Sequence, residues 1–225
     1  MIQFENVTKS YPLGVAALDD VSFTIERNEF TFLVGTSGAG KTTILNLILG
    51  DLYPNSGTVI VNDVDISNKK CKGIEDLRKH IGVVFQDFKI LQDKDVFENI
   101  ALGLHIQKLS IKKIKEQVRE VLTLVGLEER DHYFPVQLSA GELQRVAIAR
   151  ALCGDRQIIL ADEPTGNLDP KTTWDIMKIF KKVEEYKTII IATHNTDVVN
   201  SMKKRVIVLK KGKLIKDMKK GGYEL

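Results

Sequence analysis

The chain has 225 residues, of which 43% are hydrophobic and 28% charged, with a formal net charge of +3 at pH 7. This length suits one large α/β domain or a core domain with a modest insertion, and the composition is ordinary for a globular protein with a hydrophobic core. No apolar run approaches the roughly 20 residues that a membrane-spanning helix needs, so we expect none. The first residues alternate polar and apolar and lack the basic-then-apolar build of a signal peptide.

Two features of the composition have alternative interpretations. Positive charge gathers after residue 201, which favours either an anionic membrane surface or a solvated lysine-rich end of the domain. Aromatic residues are not interleaved with these charges, so we expect no nucleic acid partner. Cys71 and Cys153 have neither metal-ligand nor redox spacing, and we interpret them as reduced, structurally incidental thiols.

The N-terminal part of the chain predicts strands. Val21, Phe23 and Ile25 alternate with polar neighbours, as in a half-buried strand, whereas residues 30–34 are dense in apolar side chains, as in a strand covered on both faces. A glycine-rich break follows, and the next segment, residues 42–49, predicts a buried helix.

The rest of the chain changes from helices back to strands. Residues 87–155 predict several helices, with apolar positions between residues 111 and 125 on one face of period 3.6. Strand signals return at 158–162, 188–193 and 205–210. We therefore predict a parallel-sheet core made of residues 1–86 and 156–225, with a helical subdomain inserted at 87–155. Ligands of such a sheet bind at the carboxyl ends of its strands.

The segment from Gly35 to Thr42, GTSGAGKT, matches the phosphate-binding P-loop pattern in full and stands between a predicted strand and a predicted helix. Its glycines allow successive N–H groups to face phosphate oxygens, and the helix adds its positive dipole end. Lys41 would reach the outer phosphates, while the Thr42 hydroxyl would bind Mg²⁺.

Two further strands end in polar residues suited to this chemistry. The strand 158–162 ends in Asp162 and Glu163, two acids that repel each other unless a cation or a proton transfer uses them. Adjacent side chains on a strand point in opposite directions, so we expect distinct roles: Asp162 for the magnesium shell, Glu163 as the general base for water. His194 follows the strand 188–193 and would hydrogen-bond the γ-phosphate or the water. Alone, acids at a strand end or a single histidine would be ordinary surface features.

With these motifs the chain resembles the ATP-binding cassette (ABC) ATPases over essentially its whole length. The segment Leu138 to Glu142, LSAGE, resembles the family signature LSGGQ and departs from it at Ala140 and Glu142. Alone, it is a helix start in which Ser139 and Glu142 form a capping box. The resemblance implies the ABC ATPase fold, an α/β P-loop core with an N-terminal antiparallel β subdomain and an inserted helical subdomain. It also implies an ATP-hydrolysing activity.

The same resemblance implies that the signature segment of one copy faces the P-loop of a second copy, with ATP and Mg²⁺ between them in a head-to-tail dimer. We expect the Glu142 carboxylate to point away from the phosphate, because the two would repel each other, and Ala140 to be tolerated if its φ is helical.

The resemblance also assigns site residues one by one. Tyr11 matches the aromatic residue that stacks on adenine, Gln86 the glutamine that touches Mg²⁺ and water, and Asp169 an aspartate at the dimer contact. Asn195 stands where the family often has Asp. The nucleotide-binding residues implied are Tyr11, Gly35, Thr36, Ser37, Gly38, Ala39, Gly40, Lys41, Thr42, Thr43, Ser139 and Gly141; the catalytic residues are Glu163, His194 and Gln86; and the metal ligands are Thr42, Gln86 and Asp162.

Finer similarity points to the FtsE group of bacterial cell-division ATPases. It rests on residues 85–88, 133–138 and 163–169 and on the glycine-tyrosine tail at 221–224. This resemblance implies an FtsX-like integral membrane partner, control of cell-wall hydrolases, and a peripheral location on the cytoplasmic face of the membrane. The alternative is the ATPase of a lipoprotein-releasing or macrolide-type exporter. A DNA or ribosome machine is disfavoured, because no long heptad insertion or second cassette is present.

The segment that follows Gln86, from Asp87 to about Leu104, is our hypothesis for the partner-docking surface. Its apolar residues are equally compatible with a role in the core.

Overall fold

The computed structural model describes residues 1–12, 14 and 16–221, so Gly222 to Leu225, and with them most of the glycine-tyrosine tail, lie outside the described residues. Two compact units are present, one made of residues 1–78 and 184–225 and the other of residues 79–183. In chain order the elements are β1 (Ile2–Ser10), β2 (Ala16–Ile25), β3 (Phe30–Val34), α1 (Lys41–Leu49), β4 (Ser56–Val61), β5 (Val64–Asp65), α2 (Ile74–Lys79), β6 (Ile81–Val84), α3 (Val96–Ile106), α4 (Ile111–Val125), a 3-10 turn (Pro135–Gln137), α5 (Ala140–Leu152), β7 (Ile158–Asp162), α6 (Pro170–Val183), β8 (Thr188–Thr193), α7 (Thr196–Met202), β9 (Arg205–Lys210) and β10 (Lys213–Met218).

The first unit contains the predicted antiparallel β subdomain. Its strands lie in the order β2-β1-β4-β5, and all three pairings are antiparallel. Val21, Phe23 and Ile25 of β2 are buried, as their alternation with polar residues predicts. Asn62 and Asp63, which join β4 to β5, have φ of 46° and 65°, a left-handed pair that matches a tight hairpin turn.

A second group of strands in the first unit has the order β10-β9-β3-β8. The pairings of β3 with β8 and β9 are parallel, and every residue of β3 and β8 is buried. In this register Val34 is paired with Thr193, so both strands end at the same level. Strand β10, which the sequence did not predict, pairs with β9 in the antiparallel sense.

Some of the basic residues near the end of the described chain take part in ion pairs. Arg205 is paired with Glu29 and with Asp217, and its side chain is only 11% exposed. Lys204 is paired with Glu184. These contacts favour a structural role for part of the positive charge that follows residue 201.

The second unit combines the parallel pair β6 and β7 with helices. Within residues 87–155 the regular elements are helices, as predicted, and helix α5 packs against β6 at a point where a Cβ on Gly82 would meet the Ala151 carbonyl oxygen. Helix α4 spans the expected residues, but Ile111 is 70% exposed because it stands at the first helical position, next to the Ser110 cap. The boundaries of 87–155 as a subdomain stay a prediction.

Within the described residues, none of the helices is both long enough and apolar enough to traverse a lipid bilayer.

Candidate nucleotide site

The P-loop is the turn that connects the end of β3 to the start of α1. Gly35 and Gly40 have φ of 154° and 110°, and Gly40 is the N-cap of α1. A Cβ at Gly35 would lie 2.4 Å from the Leu209 carbonyl oxygen, and one at Gly40 would lie 2.6 Å from that of Ala17. Both positions therefore require glycine, which leaves the loop as a concave set of N–H donors suited to anions.

The side chains that begin α1 have different exposures. Lys41 is buried, and its Nζ donates to the carbonyl oxygens of Gly35 at 2.7 Å and Thr36 at 3.3 Å. Its ammonium group thus lies across the loop, where a phosphate would find a positive charge. Thr42 is exposed although both of its neighbours are buried, so its hydroxyl is accessible to a ligand.

Tyr11, the predicted adenine-stacking residue, lies near the start of the same helix. Its hydroxyl is 3.3 Å from Thr43 Oγ1, and the tyrosine is 40% exposed. The first unit therefore brings this aromatic side chain to the helix that follows the P-loop, as the predicted nucleotide site requires.

His194 is positioned by the paired strands β3 and β8. It follows Thr193, which is paired with the last residue before the P-loop, Val34, and it is exposed. The next residue, Asn195, caps α7 by accepting a hydrogen bond from the Val198 N–H at 3.1 Å. An amide performs this capping as well as the carboxylate that the family often has here.

In the second unit, Asp162 is the last residue of β7, and Gln86 follows the end of β6, the parallel strand paired with it. Val84 of β6 is paired with Ala161 of β7, so Asp162 and the exposed Gln86 belong to the same edge of this pair. Strand β6 ends at Val84, two residues before Gln86.

Glu163 lies beyond the end of β7 and has a φ of 46°. A left-handed glutamate is uncommon, and such conformations concentrate at functional sites. Its carbonyl accepts the Gly166 N–H at 3.1 Å, which closes a turn. The main chain therefore leaves the strand between Asp162 and Glu163, so the alternation of side chains along a strand does not extend to Glu163.

The turn after Gln86 is held by an arginine of the signature helix α5. Phe88 and Lys89 have φ of 59° and 49°, and Arg150 donates to both of their carbonyl oxygens. Burial lowers the pKa of the Arg150 guanidinium from its ordinary value. No sequence motif points to this residue, because an arginine inside a helix carries no signal for a contact about sixty residues away.

The signature segment forms the capping box that its sequence predicts. The side chain of Ser139 accepts the Glu142 N–H, while Glu142 accepts the Ser139 N–H at 2.9 Å and its hydroxyl at 2.8 Å. Arg130 Nε lies 3.2 Å from the other carboxylate oxygen of Glu142. Hydrogen bonds from Ser139, assisted by Arg130, hold the pKa of the Glu142 carboxyl below its ordinary value. Ala140 is the first residue of α5, in helical conformation as expected.

The start of α5 also contacts the start of α6. A Cβ on Gly141 would lie 2.7 Å from the methyl group of Thr172, and Thr172 donates its N–H and hydroxyl to the Asp169 carboxylate. These hydrogen bonds lower the pKa of Asp169 from its ordinary value. Thr172 thus contacts both the signature segment and Asp169, the aspartate predicted at the dimer contact. No sequence motif predicts these contacts.

These groups suit a magnesium nucleotide. The P-loop supplies N–H donors and a lysine for phosphates, and the predicted metal ligands Thr42, Gln86 and Asp162 offer hydroxyl, amide and carboxylate oxygens, the hard ligands that Mg²⁺ prefers. A glycine-rich loop between a buried parallel strand and a helix, with acids after a second buried strand, defines the α/β class of P-loop nucleotide-binding proteins.

Comparison with known proteins gives the family within that class. The family model for the ABC transporter matches residues 18–166, and the chain belongs to this family. It is a nucleotide-binding subunit of the ABC ATPase type, as its sequence predicted.

Individual relatives match over almost the whole chain. The cell division ATP-binding protein FtsE of Bacillus subtilis is 45% identical over 224 residues, covering 99% of this chain and 98% of the relative. The methionine import ATP-binding protein MetN 2 of Bacillus cereus is 43% identical, but the match covers only 66% of that protein. The predicted resemblance to the FtsE group is confirmed.

Solved structures agree with the fold. The dimeric structure of MJ0796, a bacterial ABC transporter cassette, has a TM-score of 0.88 and 36% identity, and the match covers 99% of this chain and all of that one. A second dimeric structure of the same cassette, in a post-hydrolysis state with ADP and Pi, has the same TM-score at 35% identity and covers 99% of this chain and 100% of that one. The predicted ABC ATPase fold is confirmed.

Proposed function

We propose that this chain is the ATP-hydrolysing subunit of an FtsE-type cell-division complex, which drives an FtsX-like membrane partner to regulate cell-wall hydrolysis. The observation that carries the proposal is the FtsE similarity at 45% identity, which extends over 99% of this chain and 98% of the relative. By contrast, the match to the methionine import protein covers 66% of that relative.

In this proposal two copies bind head to tail and enclose ATP at two sites. The dimeric cassette structures at 36% and 35% identity support this arrangement. Each site combines the P-loop of one copy with Ser139 and Gly141 of the other. The P-loop N–H groups and Lys41 bind and orient the phosphates, while Tyr11 stacks on the adenine.

Hydrolysis requires a base and a group that orients the attacking water. Glu163 accepts a proton from water as the water oxygen attacks the γ-phosphorus, the bond from that phosphorus to the β–γ bridging oxygen breaks, and ADP leaves with that oxygen. His194 hydrogen-bonds the phosphate or the water. When bound, Mg²⁺ neutralises charge on the phosphates, and Thr42, Gln86 and Asp162 would hold it. The turned main chain at Glu163 supports this assignment, since strained residues cluster at active sites.

The membrane partner docks, in this proposal, on the segment Asp87 to Leu104. Val96 is core, but Leu91 is 39% exposed, and Phe88, Ile90 and Phe97 are half-buried. The buried Asn99 side chain bonds to the main chain at Leu91, Lys94 and Asp95 and so gives the segment a defined shape.

Docking would place the chain peripherally at the cytoplasmic face of the membrane.

A groove of about 940 Å³ adjoins the docking segment and offers a recess for part of the partner. Phe97 lines it together with residues of α4 such as Arg119. The basic residues after 201 that are not used in ion pairs would add attraction to anionic lipid.

The decisive experiment combines one variant with one purification. Glu163→Gln should bind ATP but hydrolyse it about 10²–10⁴-fold more slowly, and it should elute as a dimer when ATP is present. A loss below about tenfold, or a monomer at every ATP concentration, contradicts the proposed site. Copurification of a four-span membrane protein with a large outer domain supports the cell-division function, and a six-span permease contradicts it.

A further inference from the structure

The carboxylate of Glu142 holds the hydroxyl group of the signature serine. Ser139 Oγ lies 2.8 Å from Glu142 Oε2, and the Ser139 N–H donates to the same oxygen at 2.9 Å. A serine hydroxyl has a single proton to donate. While that proton is directed at Glu142, it is not available to an incoming phosphate oxygen, which is a pure acceptor.

The second oxygen of Glu142 has a different partner. Glu142 Oε1 accepts from Arg130 Nε at 3.2 Å, and the Arg130 guanidinium lies 4.6 Å from the centroid of the Tyr133 ring. The side chains of Glu142 and Arg130 are 20% and 39% exposed. Each carboxylate oxygen therefore has its own function: one competes for the serine hydroxyl, and the other is neutralised by an arginine.

We propose that Glu142 is a positioning residue which sets the ATP concentration needed for two copies to close. It keeps the Ser139 hydroxyl until the γ-phosphate bound to the opposite copy takes it over, and Arg130 limits the repulsion between carboxylate and phosphate. This inference rests on the proposed ATP-enclosing dimer. It assigns to Glu142 and Arg130 opposite effects on the same step.

The opposite effects follow from simple electrostatics. A glutamine at position 142 still accepts the Ser139 N–H, so the helix cap remains, but it is a weaker acceptor for the hydroxyl and does not repel phosphate. Loss of Arg130 leaves the Glu142 charge without its counterion, which strengthens both its hold on Ser139 and its repulsion of phosphate.

The test measures ATP-dependent dimerisation by analytical ultracentrifugation in the Glu163→Gln background, where hydrolysis is slow. Added to this background, Glu142→Gln should lower the half-saturating ATP concentration about fivefold, and Arg130→Gln should raise it about fivefold. The variant with both changes should behave like Glu142→Gln alone, because Arg130 acts only through the carboxylate.

A merely structural role would weaken dimerisation in every variant, so a gain from Glu142→Gln separates the two explanations. Thermal unfolding of each variant shows whether the fold is retained. The inference is overturned if Glu142→Gln leaves the half-saturating ATP concentration unchanged or raises it. It is also overturned if Arg130→Gln raises that concentration equally whether residue 142 is glutamate or glutamine. If the parent Glu163→Gln protein itself never dimerises, the proposed function fails instead.

Discussion

Arg150 donates from Nη2 to the main-chain oxygen of Phe88 at 2.8 Å and from Nη1 to that of Lys89 at 2.6 Å. The two acceptors belong to consecutive residues with left-handed backbone, a conformation that phenylalanine and lysine rarely adopt. Since Arg150 is part of the helix that begins next to Ser139, this contact joins the signature helix to the turn after Gln86. It therefore connects a proposed nucleotide-binding element to the proposed docking segment.

Arg150→Lys should weaken this connection while keeping the positive charge. The single ammonium group of lysine cannot reach both carbonyl oxygens as the planar guanidinium does, so at least one charge-assisted hydrogen bond is lost. The protein should therefore be destabilised by about 2 kcal/mol. We expect ATP binding to persist and association with the membrane partner to fall several-fold. Nucleotide titration and copurification from membranes measure the two effects.

The matched control is Lys89→Ala, which leaves the main-chain oxygen of residue 89 in place. The Lys89 side chain is paired with Asp87 on the surface, and such exposed pairs contribute little, so the melting temperature should stay nearly unchanged. If Arg150→Lys retains full partner association, the turn does not serve docking.

Lys41→Ala should weaken nucleotide binding itself. The Lys41 ammonium is the charge that lies across the P-loop, and without it the phosphates lose a charge-assisted hydrogen bond worth about a factor of ten or more. Titration with a fluorescent ATP analogue measures the affinity. Glu163→Gln is the counterpart, because it should bind with unchanged affinity and fail only in hydrolysis; equal affinities for the two variants would contradict the role of Lys41.

Arg205→Met tests the ion-pair cluster of the first unit. Arg205 binds Asp217 through two nitrogens at 2.8 and 2.6 Å, and its Nη1 also donates to Glu29 and to the Thr24 carbonyl oxygen. Methionine fills the space but leaves two carboxylates without their cation, so we expect a loss of about 2 kcal/mol and a melting temperature lower by about 4–8 °C.

The control for Arg205 is Lys213→Met, which breaks the more exposed pair between Lys213 and Asp19. Its effect should stay below about 1 kcal/mol, since exposed ion pairs are screened by water. Calorimetry on both variants checks the difference; equal melting temperatures would show that the Arg205 cluster contributes nothing beyond a surface pair.

The two cysteines should differ sharply in reactivity. Cys153 is 2% exposed, and burial raises the pKa of its thiol to about 11, whereas Cys71 is partly exposed. The folded state favours the neutral Cys153 thiol. This contribution to stability is therefore complete below the ordinary value of 9.0 and is lost as the pH rises through about 11. N-ethylmaleimide at about pH 8 should label Cys71 in the native protein and Cys153 only after unfolding, as mass spectrometry would show; equal labelling rates would contradict this.

The sequence predicted those parts of the fold whose determinants are local. Strands 158–162, 188–193 and 205–210 were found to the residue, because each is a dense apolar run with clear ends. Helix α4 has Ser110 and Gly126 as caps, which mark its limits as plainly as its apolar face does. The P-loop was found because its glycines are required by local main-chain geometry.

The features that the sequence missed depend on contacts between distant segments. The left-handed turn at Phe88 needs Arg150, and the charge of Glu142 is balanced by Arg130, which belongs to no motif. Strand alternation predicts that Glu163 points away from Asp162 as a strand residue would. In the structure Glu163 is instead part of a turn beyond β7. Such pairings follow from how helices pack, which composition and periodicity do not encode.

The pairing of Val34 with Thr193 has a consequence for protein engineering. Because β3 and β8 are buried along their whole length, one inserted residue in either strand would move each following side chain to the opposite covered face, where it would not fit its neighbours, and would shift His194 along the sheet relative to Gly35. Insertions for labels or fusion partners therefore belong in surface turns remote from these strands. The β4–β5 hairpin at Asn62 and Asp63 is a suitable place, since a longer loop there leaves the spacing between histidine and P-loop intact.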